Sequence, residues 1–247
     1  MKRFIETLQN IWKIEDLRNR ILYTLGIILI YRLGSFIVLP GVDPALLEGL
    51  KQQTSQGVLG LLDMFSGGAF SNASVFALGV MPYISASIVM QLLGMAVPYY
   101  QRLQKEGESG RKKINQHTRL LTVVILVLQA PAYLTNLHVQ YQGAITGGRW
   151  FDITGVFLLT AGTIFVMWLG ERITENGIGN GISLLIMIGI IARFPSAFLQ
   201  ELASRLDQKG GGLVILLINF LSSAFAFLLQ TLIIGNSHSQ KLHYNRR

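Results

Sequence analysis

Long apolar runs alternate along this chain with short charged or glycine-rich stretches. Ile21–Leu39, Val75–Val97, Thr118–Leu137, Ile153–Leu169 and Leu213–Ile234 each approach the roughly 20 residues of helix needed to cross a bilayer core about 30 Å thick. A shorter run, Ile182–Ala192, lies between a glycine-rich turn and Pro195, and reads as a helix extended by Ile178 at one end or Phe198 at the other. The pattern predicts an all-α, polytopic transmembrane bundle of six spans. Ahead of the first run, Phe4, Leu8, Ile11 and Trp12 share one helical face, with Lys2, Glu6 and Lys13 elsewhere. Residues 1–20 therefore read as an amphipathic segment on the membrane surface, or as a face for a partner. The first run is too long, and starts too far from Met1, for a signal peptide.

Two stretches break this simple pattern. About thirty-five residues separate the first two runs, far more than a helix hairpin needs. They open with the turn signal Pro40-Gly41-Val42-Asp43-Pro44. They close with Leu59–Ser74, too apolar for a solvated loop and too short and glycine-broken to span. Non-helical backbone at membrane depth survives where protein or a water-filled cavity surrounds it, so this segment reads as re-entrant from the outer side. An interfacial helix on the outer leaflet is the competing reading. In the second run, Pro82 lacks the N–H that a helix interior uses, which predicts a kink or an interruption there. Ser85, Ala86 and Ser87 allow a neighbouring helix to approach closely. Gln91 and Gln129 must face protein or water, because an unpartnered amide in lipid is costly.

Charge orients the spans. Lys and Arg cluster before Ile21, after the second run (Arg102, Lys105, Arg111, Lys112, Lys113, Arg119) and in the tail (Lys241, Arg246, Arg247), while the alternate loops hold fewer. Both termini are thus expected in the cytoplasm. This placement accounts for the net charge of +8 without recourse to a specific nucleic-acid sequence. Composition agrees with a membrane protein: 51% of residues are apolar and 14% charged, against about 25% charged in soluble domains. The chain has no cysteine, which excludes a disulfide scaffold and thiolate metal or nucleophile chemistry.

Motifs for chemistry are weak. Gly177-Ile-Gly-Asn-Gly181 lacks the spacing and βαβ setting of a dinucleotide loop, and Gly107-Glu-Ser-Gly-Arg-Lys112 fails the phosphate-loop pattern. His117, His138, His238 and His243 stand near no hydrolase signature. No enzyme activity and no cofactor are expected. Glu171, Glu175 and Arg32 fall near span ends, where snorkelling or end-pairing explains them. No acidic residue falls in the middle of a span, unlike the coupling sites of many carriers. That favours a passive pore, or an energy source outside this chain.

Several strings together resemble the SecY family: Tyr31-Arg-Leu-Gly-Ser-Phe-Ile-Val-Leu-Pro-Gly-Val-Asp43, Met64-Phe-Ser-Gly-Gly-Ala69, Phe76-Ala-Leu-Gly-Val-Met-Pro-Tyr-Ile-Ser-Ala-Ser-Ile88, Lys105-Glu-Gly-Glu-Ser-Gly-Arg-Lys-Lys-Ile114 and Trp168-Leu-Gly-Glu-Arg-Ile-Thr-Glu-Asn-Gly-Ile-Gly-Asn-Gly-Ile-Ser183. They follow the family's order, and the resemblance covers about Leu17 to Phe220. The family supplies the central subunit of the bacterial protein-conducting channel. The resemblance implies a SecY-type bundle whose segment 59–74, with Met64, Phe65, Ser66, Gly67 and Gly68, is a plug closing the resting pore. It implies a pore ring at Val80, Ile84, Ile182 and Ile186, with Val80 one methylene short of the family's usual isoleucine. Ile88, Gln91 and Gln129 become candidates for a lateral gate. The basic loop 101–119, with Arg111, Lys112 and Lys113, becomes either a contact for SecA or the ribosome or a plain topology signal. Implied partners are SecE, SecG, SecA, the ribosome, a translocating polypeptide and membrane lipid, in the bacterial cytoplasmic membrane.

Two departures from the family qualify that expectation. Its members have ten spans, and this chain is read as six: spans one to five within 21–198, then a sixth span and cytoplasmic tail within 199–247. The tail Gly235-Asn-Ser-His-Ser-Gln240 does not follow the family pattern. The chain therefore reads as truncated, frameshifted or split. Half of a secondary transporter, or a non-functional remnant, are the alternatives to a channel subunit.

Overall fold

The computed structural model describes residues 13–43, 47, 58–140 and 148–207. The surface segment before Lys13 and the expected sixth span with its tail lie outside the described residues. Those described are helical, with no strand beyond an isolated antiparallel bridge between Val38 and Ser74.

Helix α1 runs Glu15–Gly34, with Glu15 and Asp16 in its first turn and Arg32 in its last, each sign opposing the helix dipole. Arg20 pairs with Asp16 one turn earlier at 3.2 Å. The helix stops five residues before the end of the expected first span. Ser35 caps it, its Oγ donating to the Tyr31 carbonyl at 2.9 Å. The backbone then pairs sideways: Leu39 N donates to Ala73 O and Val75 N to Ile37 O, both at 2.9 Å.

Helix α2, Val58–Phe65, starts an excursion that returns through a string of turns to residue 80. Its end is a Schellman cap. Gly68 N donates to Asp63 O at 2.9 Å and Gly67 N to Met64 O at 3.1 Å, with Gly67 left-handed at φ +66°.

Helix α3, Met81–Ala96, carries Pro82 in its first turn. The predicted interruption is thus a helix start, and residues 75–80 of the expected span form turns. A second break escaped the sequence reading: α3 and α4 (Pro98–Lys105) meet at 98°. Val97 is extended there (φ −105°, ψ 120°), as a residue before proline prefers. Gln101 Nε2 caps the end of α3 by donating to Met95 O at 2.7 Å.

Helix α5 covers Glu108–Gln140 and α6 Gly148–Asn176. The expected basic loop 101–119 is therefore a helical hairpin, broken only at Glu106-Gly107. The sequence reading took a charged stretch for a loop, but Glu108 and Lys112 pair one turn apart at 3.4 Å and support helix. Helix α7, Gly181–Asp207, contains Pro195.

Among the described residues, α5 and α6 are long and apolar enough to cross a membrane; the bent α3–α4 pair makes a third span if counted as one. Two compact units divide the chain, Met1–Arg193 and Phe194–Arg247. In the first, α3 packs on α5, α5 on α6, and α6 on α1. One apolar cluster there joins Leu39, Phe70 and Tyr133 with Leu134, Leu137 and Leu159. Another joins Ile27, Tyr31, Phe76 and Val80 with Leu169 and Leu185. In the second unit, Phe194 and Phe198 stack with ring centroids 6.0 Å apart.

Candidate functional site

The four residues expected to form a ring come together. Val80 ends the excursion and is buried in the second apolar cluster; Ile84, from the first turn of α3, and Ile182 and Ile186, from the start of α7, pack against that cluster. The turn before α7 fixes this placement. Asn180 Oδ1 accepts the Ser183 N–H at 3.2 Å, an N-cap, and Gly181 N donates to Thr174 Oγ1 of α6 at 2.9 Å. The glycine-rich string at 177–181 is thus the joint between two helices.

Beyond this apolar patch opens a cleft of about 460 Å³, into which Ile84, Ile182 and Ile186 face. Its walls are mixed. Ser87, Gln91 and Asn115 offer uncharged polar groups, while Arg119 and Glu171 pair across α5 and α6 at 2.7 Å. Both guanidinium contacts reach the same carboxylate, a bidentate geometry stronger than a single contact. Glu175 pairs with Arg172 at 3.1 Å. End-pairing, as expected, absorbs both glutamates.

The gate candidates divide between two clefts. Ile88 and Gln91 line the large cleft with Ile84, in keeping with helical spacing along one face of α3. Gln129 lines a different cleft of about 320 Å³, beside Met81, Ser85, Tyr133 and Asn136. Arg111, Lys112 and Lys113 are exposed on the first turns of α5.

Of the segment expected to be a plug, the turns after α2 are buried, residues 66–71 throughout. Met64 is exposed and Phe65 half-buried, while Ser66, Gly67 and Gly68 are buried. From α1, Arg32 Nη1 donates to Gly67 O at 3.1 Å and Tyr31 Oη to Ser66 O at 3.4 Å. From α7, Gly189 comes so near that a β-carbon on it would lie 2.8 Å from Phe65 O. Arg193 of α7 forms an ion pair with Asp63, whose side chain is 4% exposed. Sequence reasoning passed over Asp63. Its signal was one acid within the apolar run Leu59–Phe65, matched by one base directly after the apolar run Ile182–Ala192 of α7.

These features define a class: a multi-pass α-helical membrane protein with a partly buried excursion and an aliphatic patch at the foot of a polar cleft. Its sequence matches the family model described as SecY over residues 74–245. The chain belongs to the SecY family. The protein translocase subunit SecY of Haemophilus influenzae is 48% identical over 204 residues, covering 82% of this chain and 46% of that protein. That of Escherichia coli K12 is 45% identical over 217 residues, 87% of this chain and 49% of its own length. In Streptomyces coelicolor the identity is 46% over 197 residues, 75% of this chain and 45% of the relative. The chain thus spans about half the length of the curated relatives it matches. Among solved structures, a protein-conducting channel aligns with 85% of this chain and 41% of its own, at 18% identity and a TM-score of 0.49.

Proposed function

We propose that this chain contributes half of the wall of a protein-conducting channel, through which unfolded polypeptides cross, or pass sideways into, the bacterial cytoplasmic membrane. The observation that carries the reading is the meeting of Val80, Ile84, Ile182 and Ile186 at the foot of a polar cleft, with the excursion packed behind them. An aliphatic constriction expels water, so ions meet a desolvation barrier while it is closed. The same side chains can rotate aside for an extended chain and close around it. The cleft above, lined by serine and amide groups, offers such a chain hydrogen bonds, and its charged side chains Arg119, Glu171 and Glu175 are held in ion pairs.

In this reading, Met64, Phe65, Ser66, Gly67 and Gly68 form the plug. Ile88 and Gln91, with Gln129 across α3, lie along the lateral gate. Arg111, Lys112 and Lys113 face the cytoplasm, where a motor such as SecA or a ribosome docks, and SecE and SecG complete the complex. The names of the relatives, protein translocase subunits, support a transport role and no reaction at a catalytic group of this chain.

The test is conductance of the reconstituted complex without substrate. Ile84→Asn brings a hydrogen-bonding group into the ring and is expected to raise resting ion leak about ten-fold or more, which corresponds to some 1.4 kcal/mol off the barrier. Conductance equal to that of the parent protein would remove Ile84 from the constriction.

A further inference from the structure

We propose that Asp63 and Arg193 form a latch that holds the excursion seated on α7, and that its opening is the step that frees the segment. The proposal rests on the reading that this segment moves when a polypeptide passes. Both carboxylate oxygens of Asp63 are engaged. Oδ1 accepts the Ser71 N–H at 2.8 Å and Oδ2 meets Nη1 of Arg193. Arg193 Nη2 donates to Ser71 Oγ at 3.1 Å, and that hydroxyl donates to Gly68 O at 3.3 Å. The circuit ties the last turn of α2, the turn beyond its cap and a distant residue of α7 into one unit.

The two flanks of the excursion are held differently. From α1, Arg32 and Tyr31 donate to backbone carbonyls, acceptors that every residue supplies. From α7 the hold runs through side chains: Arg193, half-buried, meets the buried Asp63 carboxylate and the Ser71 hydroxyl. A surface pair contributes little, but a buried carboxylate deprived of its partner is strongly disfavoured. Arg193 follows directly on the apolar run Ile182–Ala192, midway along α7, where a cation gains from a partner. Neither charge serves the aliphatic patch, and neither lines the polar cleft. Their mutual pairing explains both.

The chain has no cysteine, so a single introduced thiol reports on seating. Ser66 is 3% exposed. In the reconstituted complex, Ser66→Cys is expected to react slowly with a membrane-impermeant maleimide. Asp63→Asn or Arg193→Gln should each speed that labelling about ten-fold or more, ten-fold being 1.4 kcal/mol of opening free energy. Asp63→Asn combined with Arg193→Gln should label no faster than the faster single variant, because removing both charges leaves none unpaired. Unchanged labelling in the single variants, or effects that multiply in the double, would overturn the latch. So would equal acceleration at Thr163→Cys, a fully buried site on α6, since that marks general loosening. Labelling is read without a translocating chain, so failure of the conductance test leaves this result independent.

Discussion

At Gly67 the backbone is left-handed, φ +66°, and a β-carbon would lie 2.9 Å from both Arg32 Nη1 and the Gly189 Cα. The conformation alone costs an L-residue roughly 1–2 kcal/mol, and the neighbours allow no relief. Gly67→Ala is therefore expected to lower the thermal midpoint in detergent, whereas Gly26→Ala, with open space around its β-carbon, is expected to leave it level or raise it. Equal midpoints for the two variants would contradict the cap geometry. Gly67 and Gly68 were legible in sequence as a break in an apolar run. Asp63 was legible only as an anomaly, because a charge in an apolar stretch signals a partner without saying where in the chain that partner stands. Arg193 lies 130 positions away (193 − 63), and no local pattern links the two.

Element boundaries show what periodicity can resolve. The apolar runs located α1, α3, α5, α6 and α7, since burial against neighbours or lipid demands long apolar helices. The runs did not show where helix gives way to other backbone within an apolar stretch. Residues 35–39 and 75–80 are as hydrophobic as a span, yet leave helix to pair with one another and to turn, choices made by tertiary contacts. The α3–α4 corner is a similar case. Pro98 was written in the sequence, but a proline at the first position of a new helix reads much like one that ends a span. Replacing Pro98 and Gln101 with alanine removes both the steric bar on Val97 and the side-chain cap on Met95 O, and should let α3 run straight into α4. Spin labels at positions 91 and 105 would then move apart toward the roughly 21 Å of a continuous helix. A distance distribution unchanged from the parent would mean that packing of α4 on α5 sets the corner by itself.

For the molecule as a whole, the distribution of Lys and Arg predicts sidedness, which the absence of native cysteine makes simple to measure. A cysteine replacing Lys112 should be labelled by an impermeant reagent from the cytoplasmic face alone, and one replacing Asp152 from the opposite face alone. The reverse pattern would invert the topology drawn from the positive-inside bias. The Val38–Ser74 bridge gives this architecture a further property. Its two backbone bonds pin the base of the excursion beside the end of α1. Once unseated, the tip stays tethered at that base. Residues 66–73, fully drawn out, reach no farther than about 27 Å. Reseating is then a first-order return at an effective concentration on the millimolar scale, so its speed does not depend on how many channels the membrane holds.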